Sequence, residues 1–263
     1  MTAAVDTRPI IVGGCVRSGT SLVRRILDSH PHIYCGPEVK FLADYNNKYL
    51  RDPIRHIRFT KTALSMLPEE EVFELLGGTF IEMHRRAAAR AGKRRWADKV
   101  PENVIFLDQW QRLLGDGWLF VHVVRHPLDT LASIKEQRFP ATVPAELDQR
   151  IDLWLDYLRA GLRFAQQSPD RYVRVVYEDL ATDPEAAAGA MMRALGEELD
   201  SDQLVLDNRR HQTGVEDPKI AQSQTIHRDS VDRWRRTLSR KEIKVITARA
   251  VPVWDELVAD GRR

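Results

Sequence analysis

Ile10-Ile-Val-Gly-Gly-Cys-Val-Arg-Ser-Gly-Thr-Ser-Leu-Val-Arg-Arg-Ile-Leu-Asp-Ser-His30 reads as a strand, a glycine-bearing turn and a helix. Ile10 to Val12 form a short apolar run fit for a buried parallel strand. Leu22, Val23, Ile26 and Leu27 repeat at helical spacing until His30-Pro31 ends the helix. A turn so placed directs backbone N–H groups at a phosphate. Gly14 and Gly19 have the spacing of a nucleoside-triphosphate P-loop. Thr20, however, stands where such a loop needs the lysine that reaches the β- and γ-phosphates. Arg17 is the cation nearest the turn, so the cradle suits an anion whose leaving oxygen is stabilised by guanidinium rather than by a metal. For the glycine pair alone, a turn without a ligand competes equally; the flanking strand and helix favour ligand binding.

The same alternation continues along the chain. Trp118 to Val124 and Tyr172 to Tyr177 are rich in Val and Ile, and amphipathic stretches fill the intervals at Glu69 to Ala91, Asn103 to Leu114, Ala145 to Gln167 and Pro184 to Leu195. A last helix is expected from Arg240 to Val258, interrupted at Pro252. The fold class expected is therefore α/β, a P-loop-like doubly wound parallel sheet with helices on both faces, in a single domain over 1–263. Residues 1–8 are expected to form a flexible N-terminus, and 207–234 a loop covering cofactor and substrate.

Composition narrows the partners. With 40 Lys and Arg against 38 Asp and Glu, the net charge of +2 gives no global field to hold nucleic acid or an anionic membrane. Arg-rich patches such as His84-Arg-Arg86 and Arg233-Trp-Arg-Arg236 are read as helix faces. Two cysteines, Cys15 and Cys35, cannot make a disulfide framework and are read as reduced. No run of 18 apolar residues occurs and no apolar leader precedes the first strand, so a soluble, cytoplasmic protein is expected. Neither a metal-ligand spacing of Cys and His nor a Gly-x-Ser-x-Gly nucleophile turn is present.

Trp118 to Val124 ends at Arg125-His126-Pro127, and ligands of open α/β sheets bind beyond the carboxyl ends of the strands. Arg125 is thus expected where the first loop also points. Pro127 opens a helix that carries Ser133, and an arginine and a serine so placed suit one monoester phosphate. Taken alone, Arg125 reads equally well as a surface ion-pair partner.

Three segments together carry a resemblance: Arg17-Ser-Gly-Thr-Ser21, Val124-Arg-His-Pro-Leu-Asp-Thr-Leu-Ala-Ser133 and Tyr177-Glu-Asp-Leu180. Their order and spacing resemble those of sulfotransferases that use 3′-phosphoadenosine 5′-phosphosulfate (PAPS) and release adenosine 3′,5′-bisphosphate (PAP). Leu27-Asp-Ser-His-Pro31 followed by Cys35-Gly-Pro-Glu38 is similar to the tyrosylprotein sulfotransferase branch and its bacterial relatives. The resemblance implies that Arg17, Ser18, Gly19, Thr20 and Ser21 bind the 5′-phosphosulfate. It implies that Arg125 and Ser133 hold the 3′-phosphate and that Tyr177 lies against adenosine. Glu38 matches the second of two adjacent glutamates that in the tyrosylprotein branch include the catalytic base; Pro37 replaces the first. Lys99, in Trp96-Ala-Asp-Lys99, matches a lysine on the transferring group, and Ser223 and Arg228 fall in a segment similar to a cofactor cover. No metal is implied.

Without that resemblance, Glu38 reads as an exposed or capping carboxylate and Lys99 as a surface lysine. His32 is the second-ranked base. The function expected is sulfuryl transfer from PAPS to a hydroxyl of a small-molecule acceptor, with a tyrosine peptide as the alternative. A P-loop nucleotide kinase or NTPase and a non-catalytic nucleotide-binding module are the readings from other classes.

Overall fold

The computed structural model describes residues 6–46, 48, 62–137, 143–205 and 225–260. Five parallel strands, β1 (Ile10–Gly14), β2 (Ile33–Cys35), β3 (Arg95–Lys99), β4 (Leu119–Val124) and β5 (Tyr172–Val176), form one sheet in the order β2-β3-β1-β4-β5. From β1 the chain leaves toward β2 and β3, whereas from β4 it leaves toward β5. The direction of winding thus reverses between β1 and β4, and a crevice opens there at the carboxyl ends of the strands.

Side chains alternate across the sheet. On one face Ile10, Val12, Val121, Val123, Val173 and Val175 pack against helix α1 (Thr20–Ser29) and helix Pro184–Ala194. On the other, Ile11, Trp96, Phe120 and Val124 pack beneath Glu69–Arg90, Leu107–Leu114 and Leu147–Gln167. Both faces being covered, β4 is buried along its whole length, as its unbroken apolar run requires. The imidazole of His122 in β4 is also buried, with Nδ1 2.9 Å from the Tyr172 hydroxyl, and burial pushes its pKa down to about 3.

The long predicted helices agree closely with those observed, with two differences, while the short helices Phe41–Tyr45, Tyr177–Thr182 and Trp234–Thr237 were not predicted, and Tyr177 opens a helix rather than ending β5. The stretch from Asn103 begins as a 3₁₀ turn, Pro101–Ile105, before Leu107–Leu114. The last helix is two, Arg240–Arg249 and Val251–Asp260. The break falls at Ala250, so Pro252 sits in a first turn, where its missing N–H is harmless. β2 and β3 were not among the predicted strands. Among the described residues no helix is long and apolar enough to cross a membrane.

Candidate active site

β1 delivers the chain into the turn from Cys15 to Gly19. The Ser18 N–H donates to the Cys15 carbonyl at 3.0 Å, and Arg17 adopts the left-handed region at φ 71°. Gly19 caps α1 with φ 102°, and a Cβ there would stand 2.4 Å from Cδ2 of Tyr177, so only glycine lets the turn and this ring meet. No side chain caps α1 and no acidic residue lies in its first turn. The N–H groups at its start therefore lack acceptors within the helix and carry its positive dipole end.

On the β4 side, the Arg17 Nε donates to the Ser133 Oγ at 3.1 Å. Arg125 is only 5% exposed. Its Nη1 donates to the Arg17 carbonyl at 3.0 Å, its Nη2 donates to the Ser230 carbonyl, and its guanidinium lies 4.3 Å from the centre of the Tyr177 ring. Burial pushes its pKa down, and among the described residues its buried Nε has no hydrogen-bond partner, nor has the Ser18 Oγ. Four residues from three separate segments, Arg17, Arg125, Ser133 and Tyr177, thus form one contiguous group. Arg228 is exposed on the segment that carries Ser230, and Ser223 lies outside the described residues.

On the β3 side, Lys99 ends the strand opposite Val12 and is buried. Its Nζ donates to the Ser21 Oγ at 3.1 Å and to Glu38 Oε1. Glu38 follows β2, its side chain 11% exposed. Glu38, Lys99 and the start of α1 are thereby joined next to the turn. His32 precedes β2 and lies at the opposite end of the sheet, its Nδ1 3.4 Å from Glu197 Oε2. With His30 they place one nitrogen or oxygen each within 4.8 Å of one another, and Arg94 sits 2.8 Å from the same Glu197 oxygen.

Two neighbours of this group were not singled out in the sequence. Lys40 Nζ stands 4.0 Å from Glu38 Oε2 and 3.5 Å from Oε1 of Glu102, a carboxylate 1% exposed. Beside them Asn103 Nδ2 donates to Asp98 Oδ2 at 2.8 Å and to the Val12 carbonyl at 3.1 Å, and His84 Nε2 is 3.3 Å from Asp98 Oδ1. The signal available was Lys99-Val-Pro101-Glu102-Asn103, where a proline opens a tight turn directly after a strand.

A phosphate-type turn at the crevice of a doubly wound sheet, flanked by two cationic groups and one carboxylate, defines an α/β protein equipped to bind an anion and move a proton. Residues 9–201 match the Sulfotransferase family, and the chain belongs to that family of transferases. It is 28% identical over 183 residues to a putative protein-tyrosine sulfotransferase of Caenorhabditis briggsae, a match over 67% of this chain and 61% of the relative. The fold is that of the sulfotransferase domain from the Synechococcus PCC 7002 olefin synthase (TM-score 0.64, 23% identity, 89% of this chain and 90% of that one). A mouse sulfotransferase complexed with PAP is also similar (TM-score 0.50, 12% identity, 93% and 82%).

Proposed function

We propose that the protein transfers the sulfuryl group of PAPS to a hydroxyl of a small-molecule acceptor, with Glu38 as general base. The observation that carries this reading is the convergence, around one turn, of a carboxylate on Lys99 and a buried arginine with no carboxylate in ion-pair contact among the described residues. The residues fit an adenosine bearing phosphates at both ends of the ribose. Uncapped N–H groups and Arg17 suit the 5′ group, while Arg125, whose buried Nε has no hydrogen-bond partner among the described residues, and Ser133 suit the 3′ group. The donor supplies an activated sulfur–oxygen bond, which breaks as the acceptor oxygen bonds to sulfur.

The rest falls to this chain. Glu38 takes the acceptor proton as the new bond forms, and Lys99 with the turn's N–H groups offsets charge gathering on the leaving phosphate and sulfonate oxygens. Lys99 also orients the base, since it holds Oε1 while Oε2 takes the proton. The reading calls for no metal. Cys15 and Cys35 are buried and unbridged, which supports a reducing compartment, and we assign the enzyme to the cytoplasm.

Pro37, beside the base, favours a small-molecule acceptor. The worm relative's printed name favours tyrosine in a peptide, and a screen of labelled PAPS against phenols, sugars and tyrosine peptides separates the two. Turnover confined to tyrosine peptides reverses the preference. PAP is expected to raise the melting temperature without magnesium; a preference for ATP with magnesium would return the kinase reading. Glu38→Gln is expected to bind PAP by calorimetry as wild type does while its single-turnover transfer falls by roughly 10²- to 10⁴-fold. Near-wild-type transfer by that variant removes Glu38 from the mechanism.

A further inference from the structure

Glu102 is a buried carboxylate whose two oxygens have no hydrogen-bond partner among the described residues. Among the described residues its ion-pair contact is with Lys40, which stands just before the short helix Phe41–Tyr45 and lies 3.5 Å from Glu102 and 4.0 Å from Glu38. A buried carboxylate without hydrogen bonds exerts a strong field, because little in its surroundings screens it. Lys99 and Glu102 leave the same strand end three residues apart, so one segment supplies both the cation on Glu38 Oε1 and the anion that competes for the cation near Oε2.

Resting on the assignment of Glu38 as base, we propose that Glu102 and Lys40 are positioning residues for it: Glu102 draws Lys40 off Glu38, so that the base works against one close ammonium rather than two. A carboxylate clasped by two ammonium groups is a poorer proton acceptor than one held by a single group, and it is less free to turn toward an acceptor hydroxyl. Glu102 does not touch the reacting atoms. It acts through the position of Lys40.

The other charged and titratable groups around the pair leave this role to Glu102. Asp98 on β3 is engaged by His84 and Asn103. The Ser21 hydroxyl on α1 accepts from Lys99, and Arg24 on the same helix donates to the Gly36 carbonyl at 2.7 Å. Lys48 also feels Glu102, and its ammonium lies over the Phe106 and Tyr157 rings at 6.0 and 5.4 Å. Cys15 is a buried thiol whose pKa is pushed up by burial and by Glu102, so it remains neutral.

The test follows the Glu38 carboxyl carbon by NMR in protein carrying ¹³C-labelled glutamate, the resonance being assigned by its loss in Glu38→Gln. Glu102→Gln is expected to move the Glu38 titration midpoint down by about half to one pH unit, and Lys40→Met to move it up by a similar amount. The acid limb of the transfer rate should shift in the same opposite directions. A midpoint that stays in place in both variants overturns the proposal, as does movement of both in one direction. Lys40 is partly exposed, so its variant reports even if Glu102→Gln fails to fold. Opposite shifts in a protein whose Glu38→Gln variant still transfers would uphold the electrostatic coupling and reject Glu38 as base.

Discussion

Arg95 and Arg125 are buried at opposite ends of one sheet, and burial pushes the pKa of both guanidinium groups down. Arg95 opens β3 with Glu197 at 3.6 Å and Asp6 at 3.9 Å, and it donates to the carbonyls of Arg8 and, at 2.7 Å, Leu195. Arg125 follows β4 and is held by two carbonyls and an aromatic ring, with no carboxylate in ion-pair contact among the described residues. A buried cation that carries its counter-anions within the chain serves the fold. Arg125 feels Asp129 and Glu178 without an ion-pair contact to either among the described residues, so an arriving external anion would add to its electrostatic balance.

Replacing Arg95 by methionine is expected to lower stability the most, by about 3–5 kcal/mol, because Glu197 and Asp6 lose a buried partner. Arg94 remains on Glu197, which favours the lower end of that range. Urea unfolding measures the loss, and unchanged calorimetric affinity for PAP in the folded protein is the expected companion. Weakened PAP binding would break the comparison.

Arg125→Ala is expected to do the reverse, leaving stability nearly intact while PAP affinity falls by about 2–3 kcal/mol and affinity for 5′-AMP, which lacks the 3′-phosphate, hardly changes. Equal losses for both nucleotides would move Arg125 away from the 3′ group.

The smallest effect concerns Glu178, whose Oε1 accepts from the His126 N–H at 3.0 Å and whose carboxyl is pushed up to about 7 by burial. The folded chain holds this proton more tightly than the unfolded one, where the ordinary value is 4.5. Its contribution to stability is therefore complete below pH 4.5 and is lost as pH rises through about 7. Glu178→Gln should flatten the fall in stability between those limits by about 1–2 kcal/mol, the group being only partly buried. An unchanged slope would show that a charged Glu178 neighbours Arg125 at neutral pH, and the contrast with Arg95 would shrink.

The parts legible in the sequence were those whose signal is local. The apolar runs of β1, β4 and β5 announce strands, and the turn and Arg125 follow from their ends. β3 reads Arg-Trp-Ala-Asp-Lys, with three charged residues in five, and all five are buried. Its charges are balanced at long range, Arg95 by Glu197 and Lys99 by Glu38, and no local window shows such partners. β2 has only three residues, too few for a periodic signal. Glu102 escaped for the same reason as β3: an acidic residue gives no sign of burial until the fold surrounds it.

Arg17 occupies a backbone conformation that suits glycine better than any residue with a Cβ. The turn thus places its guanidinium beside Ser133 at the expense of local strain, typically about 1 kcal/mol or more. Laboratory evolution under heat alone would favour glycine at this position, since the relaxed turn is the sturdier one. Libraries screened for robustness would then accumulate well-folded chains without this guanidinium, and any role it has would have to be selected alongside stability to keep the arginine.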